Sequence, residues 1–275
     1  MPSRTPRTIL LTGATDGLGK GVALALAREG HTVLVHGRDE KRIAGTLEEL
    51  RRAVPNAEVR SYRADFASLA EVRGLARDVL DSESRLDVLV NNAGIGTQVP
   101  GGPLRQESRD GHELRFAVNY LAPFLLTRLL LPLLERSAPS RVVNVSSLGQ
   151  QAIEFDDVML TRSYSGVRAY CQSKLAQILF TLDLNEQLAS RKVSVTSLHP
   201  ATYMPTKIVT SPTSTLEEGV TATVRVITDP DPAAVSGKFF DGLRERRADA
   251  QAYDAKARQK LRALSEQLTG APPVV

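Results

Sequence analysis

Residues 8–23 read TILLTGATDGLGKGVA, and the change of character within this stretch decides the fold. Four aliphatic or β-branched residues run into three closely spaced glycines, Gly13, Gly17 and Gly19, after which apolar residues recur at three and four. That pattern is a buried strand, a tight turn and an amphipathic helix in quick succession. The alternation continues outward. TVLVH (32–36), EVRSY (58–62), DVLV (87–90), RVVNV (141–145) and VSVTSL (193–198) read as further strands, with KFF (238–240) a seventh. Helical periodicity fills segments near 18–30, 39–53, 68–81, 111–136 and 169–190, and a closing helix is expected near 248–268. This predicts an α/β fold: one domain over residues 1–275, doubly wound, with a mostly parallel seven-stranded sheet and helices on both faces. Residues 148–168 and 200–237 fall outside the regular alternation and read as insertions.

Composition narrows the class. Hydrophobic residues make up 42% and charged residues 24% of the 275, ordinary for a folded globular chain. The 35 basic residues exceed the 31 acidic ones by only four and are spread along the chain, so no nucleic-acid partner is expected. Lys256, Arg258, Lys260 and Arg262 read as a solvated helix face. The single cysteine, Cys171, excludes an internal disulfide and fits a reducing, cytoplasmic setting. The N-terminus lacks the apolar run of a signal or membrane anchor, and LAPFLLTRLLLPLL (121–134) carries Arg128 and is shorter than the roughly 20 residues of a span. No metal site is expected.

Three glycines between a first strand and a first helix permit a tight turn and let backbone N–H groups approach a pyrophosphate, which the helix N-terminus also favours. Together with NNAG (91–94) after the fourth strand and YCQSK (170–174) late in the chain, the loop resembles that of the short-chain dehydrogenase/reductase family, over residues 8 to about 240. The resemblance implies a Rossmann fold, with Gly13, Thr15, Asp16, Gly17, Leu18 and Gly19 around the cofactor pyrophosphate. It puts Asp65 and Phe66 at the adenine, and Asn92, Ala93 and Gly94 along the central wall with Asn91 partly structural. Cofactor choice is read at the end of the second strand, VHGRDEKR. Gly37 takes the position of the ribose-binding acid, while Arg38 and Arg42 can neutralise a 2′-phosphate, so NADP(H) is the expected cofactor. Asp16 runs against that preference, since many NADP-preferring relatives carry a basic residue there.

Tyr170 and Lys174 are four apart on a helix and share a face. A phenol with an ordinary pKa near 10 is a poor base at neutral pH, and a neighbouring ammonium lowers that value. Spacing alone leaves a catalytic pair and a bland helical face both open. Ser146 and Ser147 close the fifth strand, where reacting groups gather in open α/β sheets. By resemblance, Ser147 holds the substrate carbonyl, Tyr170 delivers a proton to its oxygen, and Lys174 also holds the nicotinamide ribose. Asn119, which interrupts an apolar helix, is implied as the fourth catalytic member through a water linked to the lysine, with a structural role as the alternative. Tyr170 and Lys174 thus serve catalysis and cofactor binding alike. His199 and Cys171 read as structural.

Beyond the sixth strand the text is HPATYMPTKI. Ala201 replaces the family's glycine, and Thr206 falls one position later than the residue that seats the nicotinamide carboxamide. Pro200, Tyr203 and Thr206 are therefore the candidates there. The 23 residues from Ser147 to Tyr170, with VTSLHP and SGKFFD, make the chain similar to the retinol dehydrogenase and protochlorophyllide reductase branch, without the anchoring segment often found before the glycines. The implied activity is NADP(H)-dependent interconversion of an aldehyde or ketone and an alcohol, a small-molecule substrate reached from the two insertions. Ile153, Phe155, Val158, Met159 and Leu160 suggest an apolar substrate, or equally packed core. A reductase of 3-oxoacyl or polyketide carbonyls shares every reacting residue, and a non-catalytic NADP-binding regulator remains an alternative of another class. The helices at 111–136 and 169–190 match dimer faces of this family, leaving a homodimer or homotetramer open beside a monomer that covers them itself.

Overall fold

The computed structural model describes residues 5–97, 104–205 and 213–274. Strands β1 (Thr8–Leu11), β2 (Thr32–Gly37), β3 (Val59–Arg63), β4 (Val88–Asn91), β5 (Ser140–Val145), β6 (Val193–His199), β7 (Phe239–Asp241) and β8 (Arg244–Glu245) form one sheet in the order β3-β2-β1-β4-β5-β6-β7-β8. All neighbours run parallel except β7 and β8. The sheet has eight strands, not the expected seven. Its last member is two exposed charged residues folded back after Gly242, whose φ of +58° suits glycine, so no apolar pattern announces it.

Both faces are covered, and the strands divide their side chains by alternation. Ile9, Leu11, Val33, Val35, Val88 and Val90 join a core with helices α1 (Gly17–Arg28), α2 (Glu40–Ala53) and α7 (Leu216–Thr228). Leu10, Leu34, Leu89 and Val142 join a second core with α3 (Leu69–Ser82), α5 (Ala122–Arg136), α6 (Gly166–Gln187) and α9 (Ala255–Thr269). The strand order reverses between β1 and β4, and there the carboxyl ends of the strands open a crevice.

The helix expected from 111 begins later. Gly111 has φ +79°, and Glu113 then caps the next turn by accepting from Phe116 N at 2.7 Å. From there α4 (Leu114–Phe116), a π-helical turn (Ala117–Leu121) and α5 run on as one 23-residue helix. It is long and apolar enough to cross a membrane, the one such helix among the described residues, yet 89% of its apolar window is buried inside the fold. The closing helix likewise starts late, as a 3₁₀ turn (Ala250–Tyr253) leads into α9. Within residues 200–237, α7 and the short α8 (Pro232–Val235) occupy ground that carried no helical expectation.

Candidate active site

The glycine loop is held from three sides. Asp16 caps α1 by accepting from Gly17 N at 2.9 Å. Asn92 donates through Nδ2 to Thr12 O at 2.8 Å and Gly13 O at 3.2 Å, and Thr12 Oγ1 accepts from the amides of Asn92 and Ala93. A Cβ on Gly13, where φ is +64°, would come within 2.8 Å of Ala93 Cα, and one on Gly19 would overlap Gly13 O. Two strand ends and a helix start are thus in backbone contact, at a helix N-terminus whose first amides have no intrahelical acceptor. This cradle fits a dinucleotide pyrophosphate.

Around it, Arg38 follows Gly37 as an exposed side chain. Arg42 lies 2.7 Å from Asp16 Oδ2 and donates to Thr15 O at 3.4 Å. Asp16, which argued against a 2′-phosphate in the sequence, therefore anchors a guanidinium at the loop. Asp65 Oδ1 accepts from Ala67 N at 3.0 Å, and its other oxygen is 3.7 Å from Arg109. Phe66 stacks on His36 with centroids 4.6 Å apart. The Asn91 side chain is buried instead of lining the crevice, donating to Thr127 Oγ1 and Asn144 Oδ1. Leu18 packs into the core of α1. Pro200 and Tyr203 follow β6, Tyr203 exposed with φ +49°. Thr206 lies outside the described residues.

The reacting candidates converge at the ends of β4, β5 and α6. Ser147 is hydrogen-bonded to Tyr170 and accepts from Gly149 N at 3.0 Å. Lys174 Nζ donates to Val145 O at 2.9 Å and Gln177 Oε1 at 3.1 Å, and lies 5.9 Å from the Tyr170 ring centroid. Gly94 fills the gap: a Cβ there would be 3.2 Å from Asn119 Oδ1 and 3.5 Å from Lys174 Nζ. The Asn119 side chain, in the π-helical turn, accepts from Ile95 N at 2.8 Å and donates to Ile95 O and Ser173 Oγ. It clamps the NNAG loop to α6, with both amide hydrogens and one lone pair of Oδ1 engaged by protein.

Burial opposes charge at both groups. It pushes the Tyr170 phenol up, against the hydrogen bond to Ser147, and brings Lys174 down to about 7. Burial is the largest influence on each, and it draws both toward their neutral forms. The apolar residues of the 148–168 segment also differ from one expectation. Ile153, Val158 and Leu160 are buried, and Phe155 and Met159 pack against the same core. A cleft of about 560 Å³ opens where β6 and β7 end, lined by Pro200, Thr202, Thr215, Asp241 and Leu243 among others; Ser147, Tyr170 and Lys174 do not line it.

A family model described as short chain dehydrogenase matches residues 7–217. The chain belongs to the short-chain dehydrogenase family. Among curated members, human retinol dehydrogenase 13 is 37% identical over 289 residues, covering 96% of this chain and 85% of that protein. Human retinol dehydrogenase 14 is 36% identical with 96% and 86% covered. A solved structure of an uncharacterized protein from Mycobacterium Paratuberculosis superposes with a TM-score of 0.79 at 34% identity, covering 97% of this chain and 95% of that one. This short-chain dehydrogenase is thus an enzyme of the retinol dehydrogenase branch, an oxidoreductase on a nicotinamide-binding Rossmann fold. Two residues near its site escaped the sequence reading. His36 and Gln177 are polar side chains inside apolar runs, TVLVH and KLAQILF, and that interruption was the available signal.

Proposed function

We propose that this chain is an NADP(H)-dependent enzyme that interconverts an apolar aldehyde or ketone and its alcohol, with Ser147, Tyr170 and Lys174 as the reacting set. The observation that carries the reading is that Ser147 and Tyr170 meet at Gly149 while Lys174 lies between the Tyr170 ring and Gly94 of the NNAG loop. Ser147 Oγ orients the carbonyl oxygen of the substrate. Tyr170 Oη gives that oxygen its proton in the reducing direction and takes it back in the oxidising one. A dinucleotide held at the glycine cradle would supply the hydride chemistry at the carbonyl carbon. Asn119 acts by holding the wall at Ile95 against α6. For the extra phosphate, support comes from Arg38 beyond Gly37 and from Arg42, which Asp16 keeps at the loop.

An apolar substrate is favoured by the names of the relatives and by Val167, 58% exposed one turn before Tyr170 on α6. All-trans-retinaldehyde is the first substrate to try. With NADPH it is expected to turn over, and a Tyr170→Phe variant should lose at least a hundredfold in kcat, the lower range for a general acid, while still binding NADPH. Unchanged turnover in Tyr170→Phe would overturn the mechanism, and tighter binding of NADH than NADPH would overturn the cofactor assignment. NADPH binding without turnover across a panel of aldehydes, ketones and acyl thioesters would instead mark a regulator.

A further inference from the structure

One polar side chain at the site has no part in the reaction as described. Gln177 sits on α6 between helix and sheet and is 1% exposed, among the fully buried Leu175, Ala176, Ile178 and Leu179. A buried amide costs free energy unless its polar atoms are partnered. Its Oε1 accepts from Lys174 Nζ at 3.1 Å, while Nε2 has no hydrogen-bond partner among the described residues. A leucine would fill the position without an orphaned donor, so the oxygen is what the position uses. Against an ammonium the amide cannot be turned over, because that group has no lone pair to accept from Nε2.

Among the described residues Lys174 Nζ has one other acceptor, Val145 O at 2.9 Å. One acceptor comes from the end of β5 and the other from the next turn of α6. Together they fix two of the three N–H groups and leave the third for the side where Gly94 and Tyr170 lie. We propose that Gln177 is a positioning residue for the reaction: its amide oxygen holds Lys174 in the ammonium form and aims it at the site of proton transfer. This rests on the reading of Ser147, Tyr170 and Lys174 as the reacting set. Burial leaves Lys174 near neutral pH in its titration, so the loss of one acceptor shifts which form prevails. The titratable groups around it give no substitute. Tyr170 and Cys171 on α6 are pushed up by burial, and His199 on β6 is pushed down, so all three favour their neutral forms.

The test follows Lys174 directly in the free protein. Lysine labelled with ¹³C at the ε position, assigned with a Lys174→Met control, reports its titration by NMR. Gln177→Leu should lower the Lys174 pKa by about one unit, the size of one lost charge-assisted hydrogen bond, and Gln177→Glu should raise it. With NADPH and all-trans-retinaldehyde, the alkaline limb of kcat/KM should move toward acid in Gln177→Leu and toward base in Gln177→Glu. Where Gln177→Leu fails to fold, the glutamate variant carries the test alone. Unmoved titrations in folded variants would overturn the proposal. Tyr170→Phe assayed beside them separates the two readings: if it keeps full turnover the reacting set is wrong, and if only the Gln177 variants behave as wild type the set stands without Gln177.

Discussion

His36 shows how one side chain can join the parts of a binding site. It ends the apolar run of β2, yet it is only 3% exposed, so both ring nitrogens need partners. Nδ1 accepts from Gly13 N–H at 3.2 Å, which assigns the proton to Nε2, and Nε2 then donates to Ala64 O at 3.1 Å. The ring also stacks on Phe66, so it ties the glycine turn to the end of β3. Burial holds its pKa down at about 4. A depressed basic group binds its proton more readily in the unfolded chain, so its contribution to stability is complete above about pH 6.5 and is lost as pH falls toward 4. The loss amounts to about 3 kcal/mol across that window. Denaturant unfolding at pH 7, 5.5 and 4.5 should show that slope in the wild type and a shallower one in His36→Asn. The asparagine keeps an acceptor for Gly13, whereas His36→Phe removes it and strands a buried N–H, so only His36→Phe is expected to weaken NADPH binding, by about tenfold. Equal binding in the two variants would show that the acceptor does not shape the cradle.

Among the elements, those buried on both faces were the legible ones. β1, β2 and β4 are nearly continuous apolar or β-branched runs, as a parallel sheet covered on both sides favours, while β5 and β6 keep Val142, Val143, Val145, Val193, Val195 and Leu198 among buried polar residues. The glycine loop was readable for a similar reason, since backbone contacts at Gly13 and Gly19 leave no room for another residue. The segment between Ser147 and α6 was not readable. An apolar residue in a loop looks the same whether it meets a ligand or the core, and Ile153, Val158 and Leu160 meet the core. What fastens that loop is also remote in sequence. Gln251 Oε1 accepts from Ile153 N at 2.7 Å and its Nε2 donates to Ile153 O at 3.1 Å, across 98 residues. Gln172, inside YCQSK, accepts from Glu154 N and donates to Val158 O. Because the same loop starts at Ser147, slack in it reaches the substrate side. Gln251→Ala should cost about 1–2 kcal/mol for its two hydrogen bonds, raise KM for the aldehyde several-fold and leave NADPH affinity as it was. Hydrogen exchange in a peptide covering 150–160 should quicken in that variant; unaltered exchange with an altered KM would place the effect elsewhere.

At the scale of the whole molecule, the chain's own C-terminal helix packs on α6, one of the two helices expected to offer a dimer face, and reaches the other through single side chains. α9 lies along α6, with Leu261 1% exposed in the shared core, and Ser265 Oγ is 2.7 Å from Tyr120 Oη of the π-helical turn. Arg128, buried on α5, reaches Glu266 at 2.9 Å and donates to Pro272 O. Arg258, read from the sequence as part of a solvated face, is instead buried at 7% exposure, where it donates to Ala252 O and pairs with Glu186 at 2.6 Å. Magnitudes decide which of these holds the helix down. The Glu186 carboxylate is 63% exposed, and pairs of that kind contribute about 0–1 kcal/mol, while truncating a buried leucine costs about 2–5 kcal/mol. Leu261→Ala should therefore destabilise the fold several times more than Glu186→Gln in denaturant unfolding, and added salt should weaken only the second contribution. Removing residues 255–275 should go further and bare Phe124 and Phe180, which pack together beneath α9 at 5.1 Å between centroids. Light scattering on the truncated chain should then report self-association that the intact chain does not show at the same concentration. An intact chain that already pairs through α5 and α6, with α9 displaced, would refute the covering role assigned to this helix.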